Sequence, residues 1–198
     1  FKYVKRFQET CLSPEQFLRM KEEMDKLGFI SMCTPFDEAS VDLIEKHGIE
    51  ILKVASCSFT DWPLLERIVA SNKPIIASTA GASTEDMDKV VSFFSHRNKD
   101  FALMHCVADY PTPVDRLELN QIDFLRTRYD GVPVGFSTHE SPANTEAVKV
   151  AVAKGAQLFE RHVGLEAEGI KLNAYSANPE QVTRWLEAAR EAFAICGI

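Results

Sequence analysis

Apolar and polar positions alternate between two patterns along the chain. Short runs that are apolar on both faces recur as "GFISMCTPF", "EILKVASCS", "KPIIASTAG", "DFALMHCVADY", "VPVGFSTHE" and "AQLFERHVG", starting near residues 28, 50, 73, 100, 132 and 156. Each is rich in Ile, Val, Leu or Phe, the pattern of parallel strands covered by helices. Between them the spacing predicts amphipathic helices over 13–27, 37–47, 62–71, 84–96, 117–129, 141–154 and 179–195. The first opens on "SPEQ", with Ser13 as N-cap, Pro14 at the first helical position and Gln16 completing a capping box. Gly28 stands where a C-terminal glycine ends that helix. The last helix opens on a second cap signature, "NPEQ", from Asn178 to Gln181.

A helix followed by six βα units means a parallel sheet with right-handed crossovers. Two architectures compete. An open doubly wound sheet that binds a dinucleotide would show a Gly-rich first turn, and no GxGxxG is present. A (β/α)8 barrel takes eight units in roughly 250 residues. The expected fold is therefore α/β: a TIM (β/α)8 barrel lacking its first two strands, with 1–198 as one partial domain. The leading helix, with no strand before it, fits that reading, as does an N-terminus "FKYVKRFQET" without an initiator Met. A six-strand sheet also has two edges that a closed barrel would bury, so self-association is expected of this segment alone.

Composition narrows the function. The net charge is −7 and no basic block occurs, which argues against a nucleic-acid surface. An anionic ligand would have to be held by a few local groups. No stretch is long and apolar enough to cross a membrane. Five scattered cysteines without a CxxC pair suggest reduced thiols and a cytoplasmic protein.

The runs end in small or chemically capable residues: "CTPFD", "ASCS", "STAG", "HCVADY", "STHE" and "ERHVG". In a βα barrel those ends form the mouth of the active site. His105, His139 and His162 all fall there. A lone histidine is commonly a packed residue, but His139 and His162 end consecutive strands, which suits a metal or substrate role. His105 precedes a tight segment and is read as its anchor. Lys53, inside "EILKVASCS", needs an anion, because lysine is rarely buried without a partner. It could snorkel, pair with a structural carboxylate, or join Ser56, Ser78 and Ser137 in a phosphate or carboxylate cradle. A Schiff-base lysine is the rival functional reading. Cys33, Cys57 and Cys106 have no base paired with them in sequence and are assigned to packing.

Taken together, "CTPFDEASVDLIEKHGIEILKVAS", "NKPIIASTAGAS", "ALMHCVADYPTP", "VPVGFSTHE" and "GAQLFERHVGL" resemble the sialic acid synthase (N-acylneuraminate synthase) family, closest to its spore coat polysaccharide biosynthesis protein E branch. The resemblance runs along nearly the whole chain. It implies an aldolase-type barrel that condenses phosphoenolpyruvate with an N-acyl-mannosamine-like amino-sugar acceptor, releasing phosphate. It implies a homodimer for the full-length protein, part of the acceptor pocket coming from the partner, and it implies that a C-terminal antifreeze-like domain is absent here.

Residue by residue, the resemblance places Lys53 and Ser56 at the phosphoenolpyruvate site, with Ser78 and Ser137 as further contacts. Tyr110 falls on the substrate side. His139 and His162 become the ligands of a divalent metal, expected to be Mn²⁺. The chain also departs from the family. Ser58 stands at a catalytic position that usually carries Glu, and serine cannot hold or deliver a proton near neutral pH as a carboxylate can. Asn173 falls roughly where the family has an acid, and Ala108 replaces an Asn. Ser58 and Asn173 remain the expected catalytic and substrate-binding residues there. Three functions follow: a phosphoenolpyruvate-dependent synthase, a relative that binds phosphoenolpyruvate or a sugar without turnover, and a Schiff-base aldolase through Lys53.

Overall fold

The computed structural model describes residues 2–167 and 171–197. Two helices come first, α1 (Lys2–Glu9) and α2 (Pro14–Lys26). Six strands then alternate with helices: β1 (Met32–Cys33), α3 (Glu38–Lys46), β2 (Ile51–Val54), α4 (Trp62–Ala70), β3 (Ile75–Ser78), α5 (Thr84–His96), β4 (Phe101–His105), α6 (Asn120–Arg128), β5 (Val134–Thr138), α7 (Glu146–Ala153), β6 (Leu158–Arg161) and α8 (Pro179–Cys196). All strands pair in parallel and in chain order, β1 to β6. This is the expected run of six βα units of a barrel-type fold.

Local chemistry explains most boundaries. Ser13 and Asn178 both form full capping boxes, with Gln16 and Gln181 reaching back to the cap N–H. Helix α7 starts five residues later than its pattern predicts. Asn144 Oδ1 accepts the N–H groups of Glu146 and Ala147 at 2.9 and 3.0 Å. That side chain caps the helix and leaves 141–145 as a turn. Helix α1 lies in a segment for which the sequence pattern predicts no helix. Strand β1 is only two residues long, but its approach to β2 is extended by Glu50, whose carboxylate accepts both the N–H and the hydroxyl of Ser31.

The strands have two chemically different faces, since successive side chains point opposite ways. Leu52, Val54, Ile75, Ala77, Leu103, Val134 and Phe136 face the helices and form one core with Ile44, Leu65, Ile68, Val90, Phe94, Ile122 and Leu125. The other face carries Lys53, Ile76, Ser78, Ala102, Met104, Gly135, Ser137, Leu158 and Glu160. Close packing there demands glycine at 135, where a Cβ would sit 2.4 Å from Met104 Sδ and 2.6 Å from the Leu158 carbonyl. The concave face is thus apolar low down and polar at the C-terminal ends of the strands.

Curvature is visible in one contact. Strands β2 and β6 are four spacings apart in the sheet, about 19 Å if it were flat. Yet Lys53 Nζ on β2 meets Glu160 Oε1 on β6 at 3.1 Å. Only a sheet rolled about that face brings them together. None of the five cysteines is disulfide-bonded, and among the described residues no helix is long and apolar enough to cross a membrane.

Candidate active site

The strand ends enclose a cavity of about 660 Å³. Its wall includes Lys53, Ser56, Ser78, Tyr110, Ser137, His139 and His162, which the sequence proposes as site residues, together with Cys106, Ala108 and Glu160. Ser58 and Asn173 do not belong to that wall. Ser58 closes a short 3₁₀ turn after β2 and is buried, its Oγ 4.0 Å from Cys57 Sγ. Asn173 is half-buried in the segment after β6, where its carbonyl accepts the Ser176 N–H at 3.0 Å.

Lys53 is 7% exposed. Its anion in this structure is Glu160, a residue the sequence reading did not assign. Glu160 has the strand parity of His162 two residues on, which is the signal that could have found it. Its Oε2 is buried and has no hydrogen-bond partner among the described residues. Ser78 Oγ is in the same state. Ser56 Oγ already accepts the Ala80 N–H at 3.2 Å and holds the loop after β3. The mouth therefore presents a buried ammonium, an unsatisfied hydroxyl and an unsatisfied carboxylate oxygen. Orphaned polar atoms in a cavity are costly unless a ligand meets them.

The two histidines extend this wall. Thr138 and Arg161 are register partners at the ends of β5 and β6, so His139 and His162 follow in parallel. The loop after β4 is stapled there, because the Thr112 N–H donates to the His139 carbonyl at 3.0 Å and Thr112 Oγ1 to the Asp109 carbonyl at 2.7 Å. That places the Tyr110 ring on His139, centroids 4.5 Å apart. Tyr175 touches three rings, with centroids 5.1 Å from His162, 5.6 Å from His139 and 5.6 Å from Tyr110. Neither Tyr175 nor Ser176 is assigned by the sequence, yet Ser176 Oγ lies 2.7 Å from His162 Nδ1.

Burial lowers the pKa of His139, Glu160 pulls it the other way, and His162, Lys53 and Arg161 add to the lowering. Its imidazole is held toward the neutral form, which carries a lone pair. For His162, the tautomer that donates Nδ1–H to Ser176 leaves the Nε2 lone pair free. Two imidazoles on adjacent strand ends suit a borderline divalent ion. Among the described residues, no cluster of three or more His, Cys, Asp or Glu side chains is arranged to hold one. The donor set fits an open site with two protein nitrogens, the other positions being left to water or substrate oxygens.

Cys106 does have a base nearby, since its Sγ is 3.9 Å from His139 Nδ1. Burial pushes its thiol up, against a smaller opposing effect of Ser137. A protonated, buried thiol packs rather than attacks. His105 faces the helices instead of the cavity. Its Nε2 lies 2.8 Å from the Leu117 carbonyl and its ring stacks on Phe136 at 6.1 Å, the anchoring role expected of it.

Known proteins similar to this chain point one way. The model of the NeuB family matches residues 2–198. A provisionally named spore coat polysaccharide biosynthesis protein E from Chromobacterium violaceum is 62% identical, with a TM-score of 0.98, covering 100% of this chain and 59% of that one. N-acetylneuraminic acid (sialic acid) synthetase from Leptospira borgpetersenii, solved with citrate, is 30% identical with a TM-score of 0.88, over 94% of this chain and 65% of that one. Spore coat polysaccharide biosynthesis protein SpsE of Bacillus subtilis is 33% identical over 165 residues, 82% of this chain and 44% of its own length. The chain spans about half the length of the curated relatives it matches. By its family match, its topology and the sequence of its strand ends, the chain belongs to the NeuB family.

Proposed function

We propose that this chain carries the phosphoenolpyruvate half of a sialic-acid-type synthase, which joins phosphoenolpyruvate to the aldehyde of an N-acyl-mannosamine-like sugar. One observation carries the reading: Lys53, with the unsatisfied Ser78 hydroxyl and the buried Ser137, lines the same cavity as the imidazoles of His139 and His162. The relatives named for sialic acid synthesis support it.

In this reading Lys53 Nζ and the Ser78 and Ser137 hydroxyls hold the anionic groups of phosphoenolpyruvate. They orient its C3 toward the sugar aldehyde. The Nε2 atoms of His139 and His162 would hold a divalent ion, expected to be Mn²⁺, which supplies Lewis acidity toward the aldehyde oxygen. Attack forms the C3–carbonyl carbon bond from the C2=C3 π pair, and the aldehyde oxygen takes a proton from water to become a hydroxyl. Water adds at C2 and loses a proton, and the C2–O bond to the phosphate breaks as the new C2 hydroxyl becomes the ketone and passes its proton to the departing inorganic phosphate. Glu160 is the only carboxylate on the described cavity wall, so Glu160 Oε2 takes the proton that the added water loses. It supplies the carboxylate chemistry that Ser58 cannot.

The test is phosphate release by the full-length protein with Mn²⁺, phosphoenolpyruvate and a panel of N-acyl hexosamines. Release above a Lys53→Ala control supports the reading, and its absence for every sugar removes it. A second reading, binding without turnover, is favoured by Ser58 and Asn173 lying off the wall. Calorimetry that shows phosphoenolpyruvate binding while no sugar releases phosphate selects it. The Schiff-base reading is opposed by the ion pair that engages the Lys53 amine. Borohydride trapping with substrate is expected to leave Lys53 without added mass.

A further inference from the structure

Beside each histidine sits one half of a buried ion pair. Glu140 follows His139 on the β5 side, and Arg161 precedes His162 on β6. Arg161 Nη1 donates to Glu140 Oε1 at 2.8 Å, with side chains 3% and 0% exposed. Arg161 Nη2 donates to the Ser141 carbonyl at 3.1 Å. The guanidinium also lies 5.5 Å from the centroid of the Trp185 ring on α8. The pair thus joins the chain just beyond β5 to the last residue of β6, and its arginine leans against α8.

Stability is a weak explanation for this pair. Burying two charges carries a desolvation cost that their attraction need not repay. Glu140 Oε2 and Arg161 Nε have no hydrogen-bond partner among the described residues, so even this pair is incompletely satisfied. The best-attested use of such buried ionic groups is to fix register or geometry. The two imidazoles differ in what holds them. His162 Nδ1 has a hydroxyl at 2.7 Å. His139 Nδ1 has only a thiol at 3.9 Å, a weak partner. The orientation of His139 therefore depends on its backbone and its ring contacts. Beyond the Thr138–Arg161 register pair, the side chain that ties that stretch of backbone to β6 is Glu140.

We propose that the Glu140–Arg161 ion pair is a positioning clamp that sets the spacing of His139 and His162, and through it the affinity of the two imidazoles for a divalent ion. The inference rests on the reading of these histidines as a metal site. Lysine cannot replace the arginine, because the Glu140 carboxylate and the Ser141 carbonyl are engaged by two nitrogens of one rigid fork.

The test uses the full-length protein and Mn²⁺ binding followed by the EPR signal of the free ion. Glu140→Gln, Arg161→Lys and the volume-conserving pair Glu140→Leu/Arg161→Met are compared with His139→Ala and His162→Ala. The expected result is at least about a tenfold loss of Mn²⁺ affinity in the clamp variants. The double variant should keep a cooperative melt, because an apolar pair of similar volume tolerates burial. Affinity unchanged in the double variant, while His139→Ala and His162→Ala abolish binding, overturns the clamp. Affinity unchanged in the histidine variants overturns the metal reading instead. The clamp is then decided on metal-free protein by NMR of the imidazole rings. Shifted or broadened His139 and His162 signals in the double variant support it, and unaltered signals remove it.

Discussion

Lys53 Nζ and Glu160 Oε1 meet at 3.1 Å although 107 residues separate them, and their ion pair spans the mouth of the cavity from β2 to β6. The cation is nearly buried, while the carboxylate keeps a second oxygen free. The lysine therefore has a standing counter-ion and a hydroxyl-lined space beside it. An incoming anion would share the charge with Glu160 instead of finding it bare.

That arrangement separates the two members of the pair. Lys53→Met removes a charge-assisted contact to the anion, a loss of about 1.5–3 kcal/mol. Phosphoenolpyruvate affinity measured by calorimetry should fall about 10–100-fold. Glu160→Gln removes a negative charge near the bound anion, so affinity should hold or rise while phosphate release falls. Equal losses of affinity in the two variants would show that the pair is merely structural.

Ser176 offers a cleaner probe of His162. Its hydroxyl fixes the Nδ1 side of the ring at 2.7 Å, and such outer partners are typically worth about 10–100-fold in metal affinity. Ser176→Ala should weaken Mn²⁺ binding by that factor with little change in melting temperature. The expected companion result is that Ser176→Thr retains affinity.

Tyr175 is expected to act through its ring. It touches His139, His162 and Tyr110. Tyr175→Phe should preserve those contacts and leave the KM for the acceptor sugar near that of the unaltered protein. Tyr175→Ala should loosen both imidazoles and raise acceptor KM more than it lowers the melting temperature. Steady-state kinetics with a fixed phosphoenolpyruvate concentration read the difference.

What the sequence shows of this molecule follows the range of the forces involved. The six strands, the two capping boxes and the chain order of the sheet are local or periodic features, and they are legible. The late start of α7 is local too: 141–145 is a small, polar stretch, and the Asn144 side chain caps the N–H groups of Glu146 and Ala147. Lys53 is legible as a cation in need of an anion, whereas Glu160 as that anion is a product of sheet curvature, which no local pattern encodes. Ser58 and Asn173 come from aligned position alone. The 3₁₀ turn after β2 places Ser58 inside the protein. The Ser176–His162 contact depends on how the segment after β6 folds back, which its composition does not announce.

Acid should act on His105. Burial under α6 lowers its pKa, and the hydrogen bond to the Leu117 carbonyl opposes this only in part. Below an unfolded value of about 6.5 the unfolded chain takes up the proton more readily than the folded one. Stability therefore rises with pH through the window between the folded and unfolded values, and it is lost as pH falls through it. Urea unfolding at a series of pH values should show a steeper loss below about pH 6.5 for the unaltered protein than for His105→Gln. Identical slopes would mean that His105 carries no part of the acid sensitivity.

Asn178 links stability to the site by a different route. Its side chain accepts the Gln181 N–H at 2.9 Å, and Gln181 returns a bond to the Asn178 N–H at 2.9 Å. This box starts α8 directly after Tyr175, Ser176 and Ala177. The Ala177 N–H in turn donates to the His162 carbonyl at 2.9 Å. Asn178→Ala should cost about 1 kcal/mol of stability, the usual worth of such a cap, and Asn178→Asp should recover most of it. Because the cap also anchors the segment that carries Ser176, Asn178→Ala should weaken Mn²⁺ binding as well. Lost stability with unaltered Mn²⁺ affinity would confine the cap to folding and detach it from His162.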